Sequence, residues 1–233
     1  MQTTSALYQT ILADANHWFE TQLVIDGVGT FSETDLFSIT TRLEMFHGSP
    51  TIGSAVAGEI EVTMLKPSVD IPTMAVLRPK VRVCNALQQS EWLPQGVYYI
   101  DTRETTKNGN GLDVLTIHGY DAMLKAEQDF VSTTITGDSV DTDMVDAIAA
   151  IMGVSVDSRT YSIMTAAYTV PLPIGYSCRE VLGYISSMYV GAFIMTDEGK
   201  LRLVSILELP PETNYLITNA GDAITFGGDR ILV

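Results

Sequence analysis

Three histidines, two cysteines and a run of aspartates are the residues of this chain with the most obvious chemical uses. His17, His47 and His118 lie far apart, in no H-E-x-x-H or H-x-H context, and no cysteine stands beside them at ligand spacing. His17 precedes Trp18 and Phe19, which suits a packed structural histidine, and His118 falls at an expected strand end. Cys84 and Cys178 are isolated and read as small buried hydrophobes in a reduced compartment. Asp138, Asp141, Asp143 and Asp146 have the spacing of a loose cation site. They lack the Gly and the distal Glu of an EF-hand loop. They also sit at an expected helix start, where the helix dipole favours acids. Trp92, Tyr98 and Tyr99 could form a sugar-stacking platform, although aromatics in strands more often pack in the core or across strands. There is no G-x-S-x-G elbow and no G-x-x-x-x-G-K-[ST] loop, and Gly27-Val28-Gly29 is too short to cradle a phosphate. The expectation is no catalytic, cofactor-binding or metal-binding residue, no cofactor, and no enzyme.

The elements that would position these residues are organised around Trp92 to Glu127. Gly96 to Arg103 is dense in β-branched and aromatic residues, which suit a pleated surface. Thr105 to Gly111 is polar and carries Asn108-Gly109 and Asn110-Gly111, pairs suited to a tight reversal. Leu112 to His118 returns as a strand, with Asp113, Leu115 and Ile117 on one side. After Gly119 the period changes, and Tyr120, Met123, Leu124 and Glu127 fit a turn or two of helix.

Upstream, Thr3 to Asn16 is expected to be helical, capped by Thr4 or Ser5. Thr21 to Ile25 reads as a strand ending at Asp26-Gly27. Asp35 to Phe46 alternates, placing Phe37, Ile39, Thr41, Leu43 and Met45 on one face. Glu59 to Leu65 points Ile60, Val62 and Met64 inward, and Lys80 to Asn85 is a further strand. Roughly six short strands joined by turns before residue 118 point to an antiparallel sandwich or barrel. From Ser132 the pattern turns helical. Asp141 to Met152 carries a stripe of Val145, Ile148, Ala149 and Met152, and Gly153 sits at the C-terminal cap. Ser177 and Glu180 make a capping box for a helix ending at Gly191. Ala192 to Thr196 and Leu201 to Ile206 then form a hairpin, and strand-like pieces recur around Tyr215 to Thr218 and Ala223 to Phe226. The expected class is α+β, mainly β. It comprises an antiparallel β-barrel over residues 1–126, a small α/β domain over 127–206, and strand segments over 207–233 that start a second β-barrel.

Composition narrows the partners. Hydrophobic content of 46% is ample for a core. The chain has 28 acidic and 13 basic residues, a net charge of −15. That opposes tight binding to a phosphate backbone and docking on an anionic membrane. No apolar run is long enough to span a bilayer, and the N-terminus lacks the basic and apolar regions of a signal peptide.

Two ordered motifs carry a resemblance. The first is Gly96-Val97-Tyr98-Tyr99-Ile100-Asp101, a polar turn, then Leu115-Thr116-Ile117-His118-Gly119-Tyr120-Asp121-Ala122-Met123-Leu124. The second runs from Tyr176-Ser177-Cys178-Arg179-Glu180-Val181-Leu182 through Ala192-Phe193 to Asp197-Glu198-Gly199-Lys200-Leu201. Together, over residues 35 to 206, they resemble the hub proteins at the tip of bacteriophage tails, including the N-terminal region of siphophage tail-associated proteins. The resemblance implies a homotrimeric ring with two tube-like barrels per subunit. It implies a baseplate hub in the virion tail tip, assembled in the host cytoplasm, that closes or extends the tail tube and anchors spike or fibre proteins for DNA delivery. Its neighbours would be a distal tail protein or tube ring, the tape measure protein, and spike or fibre parts. DNA would pass through an acidic lumen without specific binding, and the chain would not insert into a membrane. Only 27 residues follow Ile206, so the expectation is a minimal second barrel or the N-terminal part of a longer hub. The rival readings are a tail-associated cell-wall hydrolase or endopeptidase, and a carbohydrate-binding β-domain.

Overall fold

The computed structural model describes residues 4–45 and 51–206, together with the backbone of two short strands at Thr225–Phe226 and Asp229–Arg230. Phe46, His47 and the expected strand around Tyr215 to Thr218 lie outside the described residues. Helix α1 (Ala6–Leu12) starts at Ser5, whose Oγ accepts from the Tyr8 N–H at 3.0 Å, and it buries Ile11. Nine strands follow: β1 (Trp18–Ile25), β2 (Gly29–Ser32), β3 (Leu36–Arg42), β4 (Ser54–Ala55), β5 (Glu59–Leu65), β6 (Val76–Cys84), β7 (Leu93–Pro94), β8 (Tyr98–Lys107) and β9 (Asp113–Asp121). All but β4 form one antiparallel sheet in the order β2-β1-β6-β8-β9-β5-β3, with β7 on the side of β6. Among the described residues no ladder joins β2 to β3, so the hydrogen-bonded path has two ends. Its inner face buries Leu23, Ile25, Ile60, Val62, Leu77 and Ile117.

Three local features differ from the pattern in the sequence, each for a backbone reason. The register of β3 on β5 shifts between Leu36 and Ser38. An extra residue resets the period of two. Leu36 and Ile39 therefore pack on the core, and Phe37 is 57% exposed instead of facing inward. Strand β6 begins at Val76, before Pro79, although a proline ordinarily reads as a break. Finally, β9 runs through His118, Gly119 and Tyr120 to Asp121, and only then does a 3-10 helix, Ala122–Glu127, begin.

Gly119 marks a close approach between strands, not a helix start. Strand β8 bulges between Ile100 and Thr102, beside Gly119. A Cβ on Gly119 would lie 2.5 Å from the Tyr99 carbonyl oxygen. Gly119→Ala should therefore cost about 1–3 kcal/mol by forcing β8 off β9. Denaturant unfolding checks this, and an unchanged midpoint would refute so close a contact.

The second half adds β10 (Ser139–Val140), α2 (Asp141–Met152), α3 (Arg159–Ile163), β11 (Thr169–Val170), α4 (Cys178–Met188), β12 (Gly191–Met195) and β13 (Leu201–Ser205), with β14 (Thr225–Phe226) and β15 (Asp229–Arg230) beyond. Helix α2 spans the expected residues and ends at Gly153 in the left-handed conformation, φ 71°. Gly191 opens β12 instead of ending α4. Strand β12 is central in a sheet ordered β13-β12-β4, with β4 parallel to it. A segment from the first half of the chain thus lies in the second hydrophobic cluster, where Ala55 joins Met123, Ile148, Leu182 and Phe193. The outer side of β13 is covered: the Leu203 N–H donates to Thr160 Oγ1 at 3.1 Å and the Leu201 N–H to the Ser155 carbonyl at 2.9 Å. Among the described residues no helix is long and apolar enough to cross a membrane.

The capping box of α4 is complete. Ser177 Oγ accepts from the Glu180 N–H at 3.2 Å, and Glu180 Oε2 accepts from the Ser177 N–H at 2.8 Å. Ser177→Ala should cost about 1 kcal/mol in a denaturant melt. A loss indistinguishable from zero would mean that packing alone sets the helix start.

Candidate functional site

The residues with potential chemistry are dispersed. His17 sets Nδ1 2.6 Å from the Asp14 carbonyl and stands edge-on to Phe19. His118 lies within β9, opposite Glu61 on β5, with Nδ1 3.8 Å from its carboxylate. Cys84 and Cys178 are buried free thiols, and burial pushes the Cys178 thiol up to about 11. The aspartates have separate partners. Asp138 accepts from the Leu172 N–H at 3.3 Å, and Asp146 accepts from the Tyr161 hydroxyl at 2.5 Å. Asp141, fully buried, accepts from the Tyr168 N–H and the Tyr189 hydroxyl, while Asp143 is exposed. Among the described residues no group of three His, Cys, Asp or Glu is arranged to hold a metal. The aromatics do not share a platform either. Tyr98 is buried and donates to the Gln95 carbonyl, Lys125 covers Tyr99, and Arg82 covers Trp92.

Two other constellations come together only in the fold. The first is the joint between the large sheet and the helical half. Arg179 of α4 donates to the Ala55 carbonyl at 2.6 Å and to the Met123 carbonyl at 2.9 Å, and its Nε lies 2.8 Å from Glu127 Oε1. Beside it Asp121 accepts from the Gly58 N–H at 2.7 Å and the Met123 N–H at 2.9 Å. Burial pushes the Asp121 carboxyl up to about 6, against these two donors and the Arg179 charge. The folded chain therefore keeps a proton, between the ordinary value of 3.8 and about 6, that the unfolded chain has released. Stability from this group is greatest below that window and falls as pH rises through it. A carboxyl NMR titration should give Asp121 a midpoint near 6, and the stability of the protein relative to Asp121→Asn should drop between the two ends of the window. A midpoint at or below 3.8 would contradict the burial argument.

The second is a groove of ≈ 540 Å³ between β7 and the β12–β13 hairpin. Leu93, Pro94 and Ile194 give it apolar walls. Arg159 holds Asp157 through Nε at 2.8 Å and Nη2 at 2.6 Å, which lowers the Asp157 carboxyl to about 2. Lys200 holds Glu198 at 2.6 Å. Arg202 also lines the groove, and its Nε is buried without a hydrogen-bond partner. Sequence reasoning missed this set because Asp157 and Arg202 meet only through the isolated bridge of Val156 to Leu201.

A tail protein of 43 kDa from prophage MuSo2 of Shewanella oneidensis superposes on the chain with a TM-score of 0.55 at 14% identity, covering 90% of this chain and 61% of that one. The fold is one that prophage tail proteins use. A tail protein from Neisseria meningitidis MC58 gives 0.51 at 11% identity, covering 79% of this chain and 51% of that one. The chain thus spans only 61% and 51% of the tail-fold proteins that it matches. No family model matches the sequence, and no curated protein matches it.

Proposed function

We propose that the chain is a structural, non-enzymatic component of a phage tail tip: a baseplate hub that assembles as a homotrimeric ring, closes or extends the tail tube, and anchors spike or fibre proteins. The observation that carries this is the shared fold over 90% of the chain with a prophage tail protein. The motif order between residues 35 and 206 supports the hub in particular. Among the described residues β2 and β3, the ends of the large sheet, each have a ladder partner on one side only, and a closed cyclic assembly is an economical way to cover such edges. In this reading residues 1–126 are the β-barrel domain, with its open side between β2 and β3 covered in the ring, the α/β domain follows over 127–206, and the final segment contributes to a second barrel. A distal tail protein or tube ring lies on one side, with the tape measure protein nearby. With a net charge of −15, a lumen rich in Asp, Glu, Ser and Thr lets DNA slide. Electron cryo-microscopy of assembled particles tests the proposal. Three copies around the distal tail axis are expected. A single copy away from the axis, or a lumen lined mainly by Lys and Arg, would overturn it.

A further inference from the structure

We propose that the outer face of α4, together with the loop before it, is a docking surface for a segment of another protein that sets Arg or Lys among apolar side chains. The surface is independent of how many copies form a ring. Its starting point is a group of apolar side chains that the described residues leave open. Ile174 is 81% exposed and Tyr184 57% exposed, and Tyr176 and Met188 are exposed with them. The group is connected. The Tyr176 and Tyr184 rings stand edge-on with centroids 5.6 Å apart, and Ile174 lies two residues before Tyr176. Met188 follows Tyr184 by four positions, one turn along the same helix face. The opposite face of α4 is committed to the core, where Val181, Leu182 and Ile185 are buried. Single exposed apolar residues are ordinary, whereas a connected group marks an interaction surface. Tyrosines held against one another suit an anchor, because little side-chain freedom is left to lose on binding.

Charge selects the occupant. The Phe130 N–H donates to the Tyr176 carbonyl and the Cys178 N–H to the Gln128 carbonyl, both at 2.8 Å, so residues 127–131 run beside the start of α4. Residues 127–131 and 174–188 together carry the acids Glu127, Asp129 and Glu180 and one cation, Arg179. Arg179 is turned to the Ala55 and Met123 carbonyls and to Glu127, which leaves Asp129 and Glu180. Asp129 is exposed, opposite Ser177 across an isolated bridge. Glu180 is exposed one turn before Tyr184, and the hydrogen bonds it takes from Ser177 hold its carboxyl below the ordinary value. A cation arriving here meets carboxylates and the faces of tyrosine rings together. A second copy is a poor occupant: with 28 acidic residues against 13 basic ones, two copies repel one another.

The test titrates the full chain into three labelled helical peptides of equal length and follows fluorescence anisotropy. One carries Lys and Leu on one face, the second has Glu for each Lys, and the third has Ser for each Leu. Only the Lys–Leu peptide is expected to bind. Tyr184→Ser and Ile174→Ser should each weaken it about ten-fold or more. Leu87→Ser, at an exposed residue on the turn after β6, should leave it unchanged. Melting midpoints of the variants should stay near that of the wild type, because these side chains are largely exposed. Binding that no variant weakens would be general attraction to an acidic chain and would overturn the inference. So would equal binding of the Glu–Leu peptide, or no binding at all. A lower midpoint in Tyr184→Ser with binding intact would make the tyrosine pair a structural feature only. Self-association of the wild type in sedimentation velocity that Tyr184→Ser abolishes would assign the face to a second copy, against the occupant named here.

Discussion

Replacing Phe193 by alanine should lower the unfolding free energy by about 3–5 kcal/mol. Phe193 is fully buried in the middle of β12. Its backbone is held on both sides, paired with Leu203 on β13 and with Ala55 on β4. Hydrogen-bonded strands on each flank cannot close in to fill the space that the ring leaves. The nearest residue on β4 is an alanine, which is too small to repack into it. The site therefore belongs near the upper end of the range for large-to-small substitutions, where collapse is poor. Urea unfolding should show the loss as a lower midpoint with an unchanged slope. A loss below about 1 kcal/mol would mean that the second hydrophobic cluster is not organised around β12.

The elements that were legible in the sequence are those whose signals are local. Helix α2 is bounded by acids at one end and by Gly153 at the other, and its stripe repeats at helical spacing within twelve residues. Helix α4 announces itself through Ser177 and Glu180, three positions apart. The β8–β9 hairpin shows in its turn residues, although its strands are longer than the alternation suggests. What failed was non-local. Strand β4 is two residues long, and nothing in Ser54-Ala55 marks it; its identity comes from pairing with β12, far along the chain. The bulge in β3 is invisible to a period-two reading, because one extra residue changes the face without changing the composition. Gly119 was visible as a discontinuity, but its cause is the Tyr99 carbonyl on the neighbouring strand.

The same split applies to the candidate sites. The aspartates from Asp138 to Asp146 are close in sequence and invited a cation reading, yet their side chains serve different backbone and tyrosine donors. Arg179 enters the sequence reading only as a member of the motif from Tyr176 to Leu182. Its position in the first turn of α4 aims it at two carbonyls from elements far upstream. Periodicity places a residue on a face; it does not say which distant backbone will meet that face.

Arg179→Ala should therefore cost about 3 kcal/mol, most of it from carbonyls and little from charge. The ion pair with Glu127 is half open to water: the side chains are 27% and 63% exposed. Pairs of that kind contribute about 1 kcal/mol or less. The Ala55 and Met123 carbonyls weigh more, because both residues are buried and each would lose its guanidinium donor at about 1–3 kcal/mol. Arg179→Lys should recover only part of the loss. A lysine keeps the charge but cannot present a rigid fork to two carbonyls and a carboxylate together. The substitutions also make a second, independent prediction at Asp121, whose carboxyl Arg179 helps to hold down. In Arg179→Ala the Asp121 midpoint should move above its wild-type position, and the fall in stability with rising pH should extend to higher pH. In Arg179→Lys that midpoint should stay close to wild type, because the charge remains. If both variants shift it equally, the guanidinium acts on Asp121 through packing and not through its charge. If neither variant loses stability, the joint between the large sheet and α4 does not depend on Arg179.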